Sequence, residues 1–468
     1  MKKINNLWIL TGIASLLVVS CKVTDTYERP EIPQEKLSQL YGDQTSSDTL
    51  STAQVSWDKI FTDEKLQTII RRTIENNYDL KTAVLRIQQS DAYFKQSQLA
   101  FLPSVSAGPT AGVSKSSRAA QISDLMPVRT MQSYQLTATT GWEIDIWGKL
   151  ASAKRAAYAS LLASDASKRV IQTQLVSQAA ILYYQLLAYD KQLEITQKTV
   201  ELRRKQLETI KALKEAAILT GADVVQSEAN LYAAEVSIPD LELSIKQTQN
   251  SLALLMGVST TEIDRNTMDN QVVYSDLKTG VPSQILKNRP DVQLAEYNFQ
   301  QAFENYNVAK ADVYPSFNIT ATLGLSSLKL KNLFDHSFMY SASGALSQVI
   351  FGKGAKKTQV KVTDLEKQAA YIAYENSIVT AGNEVSNALY SYQAALKKEE
   401  TRKLQIETLT KAVDFNMELL KYTSKTNYTD VLTSEQNLLS AQLSGVNDKL
   451  QQLVASANFY RAIGGGQF

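Results

Sequence analysis

Chemistry needs reactive side chains within reach of one another, and this chain of 468 residues carries one cysteine, Cys21, and one histidine, His336. No cysteine cluster, Cys/His dyad or two-histidine zinc motif can form within one copy. Neither a GxxxxGK(S/T) nor a GxGxxG stretch occurs, so no loop is built to cradle phosphate. The 47 Asp and Glu are spread along polar faces instead of gathering beside apolar or Gly-rich turns. The sequence therefore predicts no enzyme, no metal site and no cofactor. With 49 Lys and Arg the net charge is +2, which offers no broad surface to a nucleic acid.

Lys2 and Lys3 precede an apolar run from Leu7 to Val19, the layout of an exported leader and too short for a permanent membrane helix. The run ends in Val18-Val19-Ser20-Cys21. Here the sequence resembles the bacterial lipoprotein signal, which is cut before a cysteine whose sulfur receives a diacylglycerol. The resemblance implies a signal peptide over 1–20, lipid attachment at Cys21 and a bacterial envelope location; an ordinary secretory leader or a buried free cysteine is the plainer alternative. After Cys21 no apolar run reaches the roughly 18 residues that a spanning helix needs.

The remainder is one unit written twice. Leu102-Pro103-Ser104-Val105 matches Tyr314-Pro315-Ser316-Phe317, Ile146-Trp147-Gly148-Lys149 matches Ile350-Phe351-Gly352-Lys353, and Asp223-Val224-Val225 matches Asp430-Val431-Leu432, all in the same order. So long a period excludes a solenoid and indicates a duplicated domain. The expected organisation is an extended segment over 21–56, a first repeat over 57–280 and a second over 281–468, each with a helix, two strands and two very long helices.

Only 18 Gly and 9 Pro occur, about half the usual share, so turns are scarce. No Gly or Pro interrupts Lys149 to Thr220, a stretch that as one helix would be about 108 Å long. Helices of that length must pack lengthwise on others in coiled-coil fashion. The strands follow a different period. From Ser316 to Leu325 the odd positions are Phe317, Ile319, Ala321, Leu323 and Leu325, and the even ones Ser316, Asn318, Thr320, Thr322 and Gly324. Val105 to Val113, Tyr134 to Ile146 and, more weakly, Phe338 to Ile350 alternate likewise. Lipid on one face and water on the other explains both, with Tyr134, Trp142, Phe338 and Tyr340 as interface girdles. A soluble sandwich also alternates, but four strands are too few for one. In a bilayer they leave two edges open, so the sheet must close with other copies into 8, 12 or 16 strands.

At this point the residues resemble the TolC-like outer-membrane efflux proteins, in their lipoprotein branch. The motifs are Tyr27-Glu28-Arg29-Pro30, Trp57 to Leu66, Glu143 to Lys149, Arg289-Pro290-Asp291-Val292, Tyr428 to Gln436 and Tyr460 to Gly466. The resemblance implies an α+β membrane protein: a homotrimer with a 12-stranded transmembrane β-barrel in the outer membrane and a long α-helical periplasmic tunnel. It further implies docking through a periplasmic membrane-fusion adaptor to an inner-membrane RND-type transporter, with this chain as the passive channel of a tripartite pump. Adaptor contacts fall at the helical tips, on Gly221, Asp223, Ser424, Lys425 and Tyr428. A periplasmic gate is carried over at Asp430, with Thr433 where relatives often have a second Asp. The lipid-facing barrel residues are Val105, Trp142, Ile144, Phe317, Ile319 and Leu323. For Arg289-Pro290-Asp291 a structural role at a helix start is the better reading, and His336 falls in a solvated loop. Two alternatives remain: a lipid-tethered periplasmic coiled-coil scaffold without a pore, and the same duct serving type I protein secretion.

Overall fold

A computed structural model describes residues 23–32, 55–115, 117, 130–259, 262–272, 289–422 and 427–465. In chain order the elements are α1 (Trp57–Ile60), α2 (Glu64–Asn76), α3 (Tyr78–Leu99), β1 (Ser104–Lys115), β2 (Thr130–Ile144), α4 (Lys149–Glu215) and α5 (Gly221–Leu255). The second half runs α6 (Pro290–Asp312), β3 (Ser316–Ser327), β4 (Phe338–Ser347), α7 (Ala355–Tyr422) and α8 (Tyr428–Ala462). The order helix, strand, strand, long helix, shorter helix is thus written twice. The outgoing helices α4 and α7 have 67 and 68 residues, but the returning helices have only 35 each. After Leu255 the cause of the stop is visible. Gly257 takes φ +64, and a Cβ there would lie 2.6 Å from the Asn76 carbonyl oxygen, so only glycine closes this turn against α2. Among the described residues no helix is long and apolar enough to cross a membrane.

The chain divides into two compact units. The first takes the described residues up to Pro30, Ile87–Ser164 and Ala295–Ala373. Its sheet is antiparallel in the order β1-β2-β3-β4, with strands of 12, 15, 12 and 10 residues. Below it the helices pack edge to edge. Phe94 of α3 meets Tyr158 of α4 at 5.2 Å between centroids, Arg155 of α4 pairs with Glu304 of α6 at 2.7 Å, and Phe299 of α6 meets Tyr371 of α7 at 5.4 Å. Tyr27 stands edge-on to both Phe299 and Phe303, while Arg29 pairs with Glu296. At the first turn of α4 the Asp145 carboxylate accepts from the Leu150 and Ala151 amides, 3.1 and 2.8 Å away, supplying two of the bonds that a helix start lacks.

The second unit takes the described residues of Glu31–Arg86, Asp165–Leu294 and Tyr374–Phe468. Its core interleaves small and large side chains. Val176, Ala179, Ala180, Leu186 and Leu187 of α4 receive Leu66, Ile70, Leu252, Leu453 and Tyr460, each fully buried large side chain contributing about 1.5–3 kcal/mol. Asp63 caps α2 through the Lys65 and Leu66 amides and also accepts from Tyr183, Asn266 and Gln271 at 2.7, 2.9 and 2.6 Å. Burial would raise this carboxyl; the donors outweigh it and hold it below its ordinary value.

Candidate channel wall and gate

The wall is decided by register. Ile144, Phe317 and Leu346 stand opposite one another across three strands, as do Trp142, Ile319 and Gly344, then Ala138, Leu323 and Tyr340, then Leu136, Leu325 and Phe338. Val105 pairs with Thr140, which pairs with Ala321. Cross-strand neighbours share a face, so Val105, Trp142, Ile144, Phe317, Ile319 and Leu323 all lie on the same one. The opposite face is a field of small polar residues, in which Ser106 meets Thr139, Thr322 and Ser341, and Gly108 meets Thr137. Val105 is 72% exposed and Leu323 59%, apolar surface that water does not reward. Tyr134, Phe338 and Tyr340 gather toward the loop end of this face and Trp142 toward the helix end, where its Nε1–H donates to the Phe101 carbonyl at 2.9 Å. His336, in the loop after β3, is fully open at φ +47.

The two tips of the second unit are built alike. At the start of α5 the Thr220 amide and hydroxyl donate to Asp223 Oδ2 at 2.8 and 2.7 Å, and the Asp223 amide donates back to Thr220 Oγ1 at 3.4 Å. At the start of α8 the Asn427 amide donates to Asp430 Oδ2 at 3.3 Å and the Asp430 amide returns a 3.0 Å bond to Asn427 Oδ1. Both carboxylates are thus N3 members of a capping box. Asp430 remains exposed while serving there, and Thr433 one turn on is exposed too, its hydroxyl donating to the Thr429 carbonyl at 2.8 Å. Gly221 is exposed, with open space where a Cβ would stand.

Tyr428 departs from the expectation of a contact residue. Its ring is 5% exposed and packs in a cluster with Ile210, Leu420 and Val431. Tyr428, the first residue of α8, thus joins the start of that helix to Ile210 of α4 and Leu420 of α7. Cys21, Ser424, Lys425 and the leader 1–20 lie outside the described residues.

Two polar centres carry no local signal in the sequence. Glu435 of α8 is 8% exposed and accepts from Gln206 of α4; burial pushes its carboxyl up against the pull of Gln206 and Arg203. Arg203 Nη1 donates to the Asn230 carbonyl at 2.6 Å, and burial holds its guanidinium below the ordinary value. Glu435 and Arg203 border a cleft of about 670 Å³ floored by Ile195, Leu202, Ile406, Leu439 and Val446. The second centre is Arg289, whose motif the sequence marks as a helix start. Pro290 does open α6, but Arg289 itself is a buried cation holding two carboxylates.

The family model described as outer membrane efflux protein matches residues 69–258 and again 281–465. The chain belongs to the outer membrane efflux protein family. Over 466 residues, 98% of each chain, it is 26% identical to the solvent efflux pump outer membrane protein SrpC of Pseudomonas putida. A membrane protein from Pseudomonas aeruginosa superimposes with a TM-score of 0.86 at 23% identity, covering 95% of this chain and 98% of the other. The open-state MtrE outer membrane channel of Neisseria gonorrhoeae gives 0.83 at 24% identity, with 95% and 98% covered. As an outer membrane efflux protein the chain is a passive channel component, and its two-faced sheet is the part suited to an outer membrane.

Proposed function

We propose that three copies of this efflux protein close a 12-stranded barrel over a helical duct, and that the duct carries cargo outward from a periplasmic adaptor and an RND-type inner-membrane transporter. The observation behind this reading is the sheet. Every strand contributes to one apolar face, and among the described residues β1 and β4 each have a partner on one side only. Unpaired backbone groups facing lipid cost several kcal/mol each, so a four-stranded sheet in a membrane requires more strands from other copies. Cys21 anchors each copy by its diacylglycerol, and the tips around Gly221, Asp223, Ser424 and Lys425 receive the adaptor. Energy and cargo choice belong to the inner-membrane partner. At the closed mouth, three Asp430 carboxylates around one axis repel one another and attract cations. Planar-bilayer recording on the purified lipoprotein tests the whole reading: cation-selective pores are expected, and a preparation that forms heat-resistant oligomers yet never conducts would leave only the scaffold.

A further inference from the structure

The two repeats make the same junction twice, and the described residues fill only one of them. After β2, Trp147 lies on the junction between α6 and β3, its ring 5.1 Å from Tyr314 and its Nε1–H donating to the Pro315 carbonyl at 2.7 Å. In the sequence repeat Ile146-Trp147 corresponds to Ile350-Phe351, and Tyr314-Pro315 to Leu102-Pro103. That second set stands open: Ile350 is 97% exposed, Phe351 86% and Leu102 62%. In the second connection the left-handed glycine also comes two positions later relative to the aromatic: Gly148 (φ +79) immediately follows Trp147, whereas Gly354 (φ +80) is three residues after Phe351. Three consecutive apolar residues, Val349 to Phe351, are thereby presented to solvent, a costly arrangement unless something covers them.

We infer that the Ile350–Phe351 segment of one copy docks on Leu102–Pro103 of the next, repeating between copies the contact that Trp147 makes with Tyr314–Pro315 inside one. Three further features fit this surface to a second copy of the chain. Leu102 stands two residues before β1 and Phe351 four residues after β4, and these are the outer strands of the sheet. The β2–β3 pairing sets even-numbered residues against odd-numbered ones; carried to β4 and β1 it continues the apolar face unbroken, as the period-two rule demands. The seam below changes character in a consistent way. Inside the chain α4 meets α6 through the Arg155–Glu304 ion pair. In the repeat the counterpart of Glu304 is Ala92, which is exposed with Leu99 on α3, while Leu365 and Ile372 are exposed on α7, each pair seven residues apart. One seven-residue apolar step on each of two helices that would run side by side gives them small apolar faces to pack lengthwise. The contact at Phe351 is apolar as well, since phenylalanine lacks the donor that Trp147 gives to Pro315.

The inference rests on the oligomer proposed above, and its test separates the two. Chains carrying Phe351→Cys are co-expressed with differently tagged chains carrying Leu102→Cys, and outer membranes are treated with a short bismaleimide; each variant expressed alone gives the background. The expected product is a covalent pair bearing both tags, and only in the mixture. A heat-resistant oligomer without that mixed pair would overturn the docking and leave the duct standing, whereas absence of any oligomer in the unmodified protein would remove both. As a second measurement, Phe351→Asp is expected to cut the heat-resistant oligomer roughly tenfold and Phe351→Leu to keep it, the behaviour of a central apolar anchor. An undiminished oligomer in Phe351→Asp would refute the contact.

Discussion

Arg289 and Ala462 are 173 positions apart, yet the Arg289 guanidinium Nη1 donates to the Ala462 carbonyl at 2.7 Å. The contact ties the start of the second repeat to the last turn of α8. The same guanidinium, 3% exposed, holds Asp291 and Glu384 at 2.5 and 2.7 Å, and Glu384 reaches on to Arg461 at 3.1 Å.

Arg289→Met is therefore expected to cost roughly 1–3 kcal/mol, because it leaves the Ala462 carbonyl without its buried donor and the partly exposed Asp291 and Glu384 without their cation. Burial raises the Asp291 carboxyl, but the hydrogen bond and charge of Arg289 outweigh it and leave it below its ordinary value. A depressed carboxyl contributes stability that is present at neutral pH and lost as pH falls through and below about 4. Thermal unfolding in detergent should show the gap between the two proteins narrowing from pH 7 to pH 3. A gap that stays constant would show that the pair is not the cause.

The two faces of β3 give opposite outcomes for neighbouring residues. Leu323→Lys places a charge on the apolar face and should cost about 2–4 kcal/mol of barrel stability. Thr322→Lys, one residue away on the polar face, should assemble normally and shift conductance toward anions. Equal assembly defects in both, read from heat-resistant oligomers, would contradict the assignment of faces.

Asp430→Asn keeps a side-chain oxygen that can accept from the Asn427 amide, so the start of α8 should survive with a loss of under about 1 kcal/mol. Its effect should appear in the pore: weaker cation selectivity and weaker block by multivalent cations in bilayer recordings. Unchanged selectivity would confine Asp430 to its capping box.

Glu435 titrates in the other direction from Asp291. Its carboxyl is raised, chiefly by burial, so the folded chain favours the proton and loses stability as pH climbs from about 4. Glu435→Gln should gain on the unmodified protein across that climb and lie closest to it in acid. Denaturation midpoints at several pH values decide this, and parallel profiles would exclude it.

Much of this protein is written locally. Period-two alternation marks Phe317, Ile319 and Leu323 as one face without any knowledge of partners, because successive strand residues must point to opposite sides. Absence of Gly and Pro from Lys149 to Thr220 specifies an uninterrupted helix, and the repeat specifies that each element occurs twice. Tertiary structure decided what depends on distant neighbours. Tyr428 follows a polar turn and reads as surface, yet Ile210, Leu420 and Val431 close over it. Gln206 meets Glu435 across 229 positions, a pairing that no local period encodes. Trp147 and Phe351 occupy matching places in the two repeats, but Tyr314 and Pro315 are there to cover the first, while among the described residues nothing in the same chain covers the second. Burial is a property of what packs opposite a side chain, and one strand or helix does not contain that information.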